Sequence, residues 1–220
     1  MIKRIFAAMD FTGFEEFREH YKLISDDIVL CKVGYQLFYS DGEKVMDFLR
    51  EEGKSVFLDL KLDDIPNTVE KGIASLSRRF KFDYITVHIS GGSAALKAAQ
   101  KAASESGIKI LGVTVLTSLD KNDMLKLGGE GDIAEIIQKR VDVAKEAGID
   151  GVIISYRDLE QGIDTGGLLK VTPGIKYAEE EKGDQKRVAT PKEALGKADY
   201  IVMGRSLFRF GTKRLKEELK

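Results

Sequence analysis

Eight short runs rich in β-branched and other apolar residues recur at near-regular intervals along this 220-residue chain. They are Ile2 to Met9, Ile28 to Val33, Ser55 to Leu60, Tyr84 to Ile89, Ile108 to Leu116, Gly151 to Ser155, Leu168 to Thr172 and Tyr200 to Met203, and each reads as a strand. Between them lie stretches with apolar residues at helical spacing, such as Phe14, Phe17, Tyr21 and Ile24, or Ile133, Ile136, Ile137, Val141 and Ala144. Alternating strands and helices require parallel strands joined by right-handed crossovers, and eight repeats fit a closed (β/α)8 TIM barrel better than an open sheet. The expectation is one barrel domain over residues 1–220, with roughly 27 residues per unit where about 250 residues in all are typical. Tyr156 to Gly167 leaves room for only a short helix in the sixth unit. Gly128 to Gly131 reads as a loop before a helix that the Asp132 carboxylate caps.

Composition removes several functional classes. Lys and Arg total 35 against 36 Asp and Glu, so no overall basic field exists to hold nucleic acid or an anionic membrane. A single cysteine, Cys31, rules out a disulfide within the chain. With only His20 and His88 besides, no cysteine- or histidine-based metal centre is expected. No apolar run approaches the ~20 residues of a membrane span, and a cytoplasmic protein is expected.

A barrel of this kind carries its chemistry at the C-terminal ends of the strands, so inward-facing polar residues there are the ones to find. Side chains alternate along a strand with period two. On the first strand Phe6, Ala8 and Asp10 share a face; on the second, Leu30 and Lys32; on the third, Phe57, Asp59 and Lys61. Each series ends in charge, so Asp10, Lys32, Asp59 and Lys61 should converge at one rim. Isolated, any of them is an ordinary solvated residue. Four on adjacent strands must pair, because burying unpaired charge is costly, and such a cluster in a cleft marks a candidate site. Asp63 and Asp64 follow in the loop before Pro66, where Asn67 or Thr68 is expected to cap the next helix.

The loops after the seventh and eighth strands are the usual phosphate cradle of this fold. Here they contain Val171-Thr172-Pro173-Gly174-Ile175-Lys176 and Gly204-Arg205-Ser206. Gly204 permits close backbone approach, Arg205 offers a forked donor, and Ser206 is expected to open the last helix. These residues point to a phosphorylated small molecule, anchored on one side of the mouth and reacting against the Asp/Lys array on the other.

The run Asp59-Leu60-Lys61-Leu62-Asp63-Asp64-Ile65-Pro66-Asn67-Thr68 fits a D-x-K-x-x-D-I-P-x-T signature without a gap. In order around it stand Leu30-Cys31-Lys32-Val33-Gly34, Thr86-Val87-His88 before Gly91-Gly92, Val113 to Ser118, Val171 to Ile175, Gly183-Asp184-Gln185 and Gly204-Arg205. With these motifs the chain resembles the orotidine 5′-monophosphate decarboxylases across essentially its whole length. The resemblance implies a homodimeric enzyme that uses neither metal nor organic cofactor. It implies that Lys61 is the proton donor to the ring carbon that loses its carboxylate, that Asp59 lies beside that carboxylate, and that Lys32 bridges Asp59 and the ribose. Asp64 is implied to enter the neighbouring subunit's site, with Ile65 and Thr68 nearby. Asp10 would bind ribose hydroxyls, Thr117 and Ser118 the pyrimidine, and Gln185, Gly204 and Arg205 the phosphate, with Pro173 in the loop over the substrate. Bacterial relatives often carry arginine after Pro-Gly-Ile; Lys176 stands here, as a candidate substrate contact without the planar fork.

Two other readings compete. Sugar-phosphate relatives such as 3-keto-gulonate-6-phosphate decarboxylase or hexulose-phosphate synthase share a D-x-K strand end but require magnesium. Ile65-Pro66-x-Thr68 and Gly183-Asp184-Gln185 argue against them. A non-catalytic barrel that senses UMP is the other, and the intact Asp/Lys array argues against it. Elsewhere, His88 favours a structural role, His20 a solvated one, Cys31 a buried inert thiol, and the mixed-charge segment Lys213 to Lys220 a solvated helix face.

Overall fold

The computed structural model describes residues 2–177 and 189–220. Eight parallel strands close into a barrel in chain order: β1 Ile2–Ala8, β2 Ile28–Gly34, β3 Ser55–Leu62, β4 Tyr84–His88, β5 Lys109–Val113, β6 Gly151–Ile153, β7 Leu169–Thr172 and β8 Tyr200–Met203. The helices are α1 Phe14–Tyr21, α2 Tyr35–Glu51, α3 Pro66–Arg79, α4 Gly92–Ser104, α5 Lys121–Lys126, α6 Ile133–Ala147, α7 Tyr156–Glu160, α8 Pro191–Leu195 and α9 Arg205–Glu218. The expected (β/α)8 barrel is the observed one.

Period-two alternation sorts the strand side chains into two cores. Phe6, Ala8, Leu30, Phe57, Tyr84, Leu111, Val171 and Val202 fill the barrel interior. Their neighbours of opposite parity, including Ala7, Cys31, Val33, Val56, Leu58, Ile85 and Val87, pack outward against the helices. Inside, Phe6 meets Phe57 edge-on at 5.2 Å and Tyr84 at 5.3 Å, so aromatic rings pack the barrel interior. Cys31 is buried in the outer layer, and loss of hydration pushes its thiol up to about 12, the inert state expected of it.

The opposite end carries a repeated brace. Asp83, Asp150 and Asp199 each precede a strand, and each accepts a backbone N–H from the strand before it in the barrel: Val56 at 2.9 Å, Ile110 at 2.9 Å and Lys170 at 2.8 Å. A charged acceptor for a part-buried N–H is worth about 1.5–3 kcal/mol. Asp150→Ala is therefore expected to lower stability by about that amount in denaturant melts, with kcat unchanged, because this face lies away from the mouth.

Local expectations are met unevenly. Asp132 caps α6 in a reciprocal box with Glu135, and the sixth unit holds only the five-residue α7. Asn67 and Thr68 do not cap α3. Pro66 occupies its first position, since a missing N–H is harmless there, and this makes Ile65 the N-cap with no side-chain bond. The last helix opens at Arg205, one residue before Ser206. His20 is half-buried rather than solvated, its ring stacked on Phe11 at 4.8 Å. The short α5, boxed by Asp120 and Asp123, was not foreseen.

Candidate active site

β2, β3 and the segment that follows β1 bring four charged side chains to one point. Lys32 Nζ lies 3.0 Å from Asp10 Oδ1 and 3.4 Å from Asp59 Oδ2, and Lys61 Nζ lies 2.8 Å from the same Asp59 oxygen. The result is an unbroken line of alternating charge, Asp10–Lys32–Asp59–Lys61. Lys32 is only 8% exposed. Burial, the strongest single influence on it, disfavours the ammonium, but Asp59 and Asp10 together outweigh that and hold its pKa above the ordinary lysine value. Burial likewise disfavours the Asp59 carboxylate, and Lys32 and Lys61 reverse the effect, so its pKa falls below the ordinary range. Both groups stay charged at neutral pH.

Two consequences for stability follow from those directions. The depressed pKa of Asp59 contributes stability that is complete above its ordinary value of 3.8 and is lost as pH falls through the lower native value. The raised pKa of Lys32 contributes stability that is complete below 10.5 and is lost as pH rises through the higher native value. The difference in unfolding free energy between wild type and Lys32→Met should thus be flat from about pH 4 to 10 and shrink outside that window. Denaturant melts across pH check it; a difference independent of pH would contradict it.

The lysine that ends the line stands on unusual backbone. Lys61 has φ 47°, the only non-glycine residue at positive φ among the described residues. Such a conformation costs roughly 1–2 kcal/mol in an L-residue. It arises from a bulge: β3 and β4 pair at Leu58–Ile85 and again at Leu62–Val87, so Asp59, Leu60 and Lys61 face the single residue Thr86. Bulges of this kind re-aim side chains beside active sites. The Thr86 hydroxyl accepts the Lys61 N–H at 2.8 Å and donates to Asp59 Oδ1 at 3.0 Å. On the outer side, Lys61 Nζ sits 5.4 Å from the centre of the Tyr35 ring, a cation–π contact. Gly34 makes room for the array, since a Cβ there would stand 3.3 Å from Lys32 Nζ and 3.4 Å from Asp10 Oδ1.

The array forms one wall of a cavity of about 650 Å³. Asp10, Lys32, Asp59, Lys61, Thr117, Pro173, Lys176, Gly204 and Arg205 all line it, so nine of the expected site residues meet in one place. Next to the Asp10 end of the array stands the first turn of α9, where Gly204 and Arg205 also line the cavity and present a helix N-terminus suited to an anion; a Cβ on Gly204 would lie 3.9 Å from Asp10 Oδ2. Ser118 is exposed and does not line the cavity, nor do Asp64, Ile65 and Thr68, which are exposed around the start of α3. Gln185 lies outside the described residues. His88 ends β4 half-buried and does not line the cavity; burial holds its pKa below the ordinary value, against the pull of Asp63. Among the described residues no three His, Cys, Asp or Glu side chains gather as a metal centre would need. No helix among them is long and apolar enough to cross a membrane.

The orotidine 5′-phosphate decarboxylase / HUMPS family model matches residues 3–216 of this chain. The chain belongs to that family. The orotidine 5′-phosphate decarboxylase of Fusobacterium nucleatum is 39% identical over 213 residues, covering 94% of this chain and 90% of its own length. That of Carboxydothermus hydrogenoformans is 37% identical over 224 residues, covering 98% and 93%. The crystal structure of orotidine 5′-phosphate decarboxylase from Lactobacillus acidophilus superposes with a TM-score of 0.83 at 31% identity, covering 99% of this chain and 100% of that one. A conserved, uncharacterized protein from Geobacillus kaustophilus gives 0.82 at 31%, covering 98% and 100%.

Within this family frame, three residues escaped the sequence reading as parts of the site. Thr86 looks like any strand threonine, Gly34 like a strand terminator, and Tyr35 like the first residue of a helix. Only the bulge and the approach of Lys32 and Lys61 give them roles. The signals present were position, since each is at, or within two residues of, the end of its strand, and, for Gly34 and Thr86, membership of the motif blocks Leu30 to Gly34 and Thr86 to His88.

Proposed function

We propose that this chain is an orotidine 5′-monophosphate decarboxylase, acting in the cytoplasm in de novo pyrimidine biosynthesis, with residues 1–220 as one catalytic domain. The observation that carries the reading is the Lys61 ammonium held 2.8 Å from Asp59 in a cavity that the N-terminus of α9 also lines. In the reaction the bond between the pyrimidine ring carbon and its carboxylate breaks, carbon dioxide leaves, and the electron pair remains on the ring carbon. That pair lies in the ring plane, where delocalisation is poor. Lys61 supplies a positive charge where the negative charge develops and then gives one Nζ proton to the same carbon, yielding UMP; it regains a proton from solvent. Asp59 and Lys32 fix that ammonium before substrate arrives, so little reorganisation is needed at the moment of reaction.

The remaining roles are those that the family resemblance implies. Asp10 and Lys32 bind the ribose, Thr117 and Ser118 the pyrimidine, and Gly204, Arg205 and Gln185 the phosphate, with Pro173 and Lys176 in the loop over the substrate. Binding energy from the remote phosphate drives closure over the reacting centre. Asp64 completes the partner's site in a homodimer, with Ile65 and Thr68 beside it. Exposed apolar residues support that assembly: Ile65, at the turn into α3, is 66% exposed, and Tyr39 on α2 is 74% exposed.

The test follows the ultraviolet absorbance of orotidine 5′-monophosphate with purified protein, with and without excess EDTA. Turnover insensitive to EDTA is the expected result. Absence of turnover by folded, dimeric protein rejects the reading and redirects it to magnesium-dependent sugar phosphates and to UMP binding, and turnover lost in EDTA contradicts cofactor-free chemistry.

A further inference from the structure

We propose that Thr86 is a positioning residue whose hydroxyl holds the β3 bulge in the one conformation that seats the Lys61 ammonium on Asp59. The inference takes the decarboxylase reading as its frame. Thr86 is fully buried, lies on the inward parity of β4, and does not line the cavity, so it acts through its neighbours rather than on substrate. Its two bonds have fixed directions. An amide N–H only donates and a carboxylate only accepts, so the hydroxyl must take the Lys61 N–H on a lone pair and aim its single proton at Asp59 Oδ1.

The bulge is why a side chain is needed there. With Leu58 and Leu62 paired to Ile85 and Val87, the Lys61 N–H falls where the ladder is out of register, and the Thr86 hydroxyl stands in for a backbone acceptor. It thereby ties down a residue whose φ is strained, while its donated bond orients the carboxylate that grips the same lysine. If that φ relaxed to the ordinary negative range, the Cα–Cβ direction of Lys61 would turn and carry Nζ off the reacting carbon. A misplacement of about 1 Å is enough to cost roughly 10²-fold in rate. β4 lies four strands from β8 around the barrel, so the phosphate side of the cavity is untouched by a change at Thr86.

Thr86→Val keeps the shape and removes the hydroxyl; Thr86→Ser keeps the hydroxyl. The expected result is a fall in kcat of roughly 10–100-fold for Thr86→Val with KM within about twofold, and near-complete recovery in Thr86→Ser. A readout without substrate runs beside it: carbon-13 NMR titration of the Asp59 carboxyl, which should move to higher pH in Thr86→Val and return in Thr86→Ser, because the donated hydrogen bond favours the ionised form. Thr86→Ala replaces Thr86→Val if the latter does not melt cooperatively. An unchanged kcat with an unchanged Asp59 titration overturns the proposal, as does a Thr86→Ser variant as impaired as Thr86→Val, or a loss confined to KM. Failure of wild type to turn over orotidine 5′-monophosphate counts against the decarboxylase reading alone, since the Asp59 titration still decides the role of Thr86.

Discussion

Lys61→Ala is expected to lower decarboxylation of orotidine 5′-monophosphate by roughly 10⁴-fold or more while leaving the barrel folded. A general acid contributes about 10²–10⁴-fold and a preorganised charge at the developing anion about 10²–10³-fold, and this one ammonium supplies both. The fold should survive because Asp59 is not orphaned: Lys32 stays 3.4 Å from one carboxylate oxygen and the Thr86 hydroxyl 3.0 Å from the other. KM should change little if Lys61 acts mainly in the transition state. Lys61→Gly offers an internal control. It removes the same amine and also relieves the positive φ, worth roughly 1–2 kcal/mol, against an entropic penalty of about 0.5–1 kcal/mol for glycine. It should be at least as stable as Lys61→Ala and equally inactive. Single-turnover absorbance measurements with thermal melts check both. Activity in either variant within tenfold of wild type would remove Lys61 from the role of proton donor.

The contrast between Lys61 and its neighbours shows which parts of the site a sequence can display. Period-two alternation was sufficient to place Lys32 and Asp59 on the inner face, because β2, and β3 as far as Asp59, are regular there, and the same parity runs on past the end of β1 at Ala8 to Asp10. Lys61 obeys the same parity on paper, but its distance to Asp59 depends on a bulge that no spacing announces. The bulge is a property of the pairing between β3 and β4, written in neither strand alone. Thr86 became part of the site only through that pairing, and Gly34 only through the Cβ it lacks. At the ends of helices the signals competed: Thr68 is a good cap by residue type, yet Pro66 claimed the first helical position and moved the start of α3 forward. What the sequence conveyed well was everything governed by period and order. What it hid was everything set by contact between elements distant in the chain.

Contact between chains lies one step further, and Asp64 is where it is tested. Its carboxylate sits outside the cavity of its own chain, with Oδ1 accepting the Ile65 N–H at 2.7 Å so that the exposed turn is held in shape. Asp64→Ala and Arg205→Ala, each alone, should lose roughly 10²-fold or more in kcat/KM, since in the proposed roles one removes a carboxylate from the partner's reacting centre and the other the forked donor to phosphate. Mixed in equal amounts with free subunit exchange, half the dimers carry one chain of each kind. In a mixed dimer the Asp64→Ala chain keeps its own Arg205 and receives the intact Asp64 of the other chain, while the second site collects both lesions. About one quarter of all sites are then native, and activity should return to about a quarter of the wild-type rate. If Asp64 served its own chain instead, every site in the mixed dimer would carry one lesion and nothing would return. Subunit exchange measured independently, with differently tagged chains, makes the absence of rescue as informative as its presence.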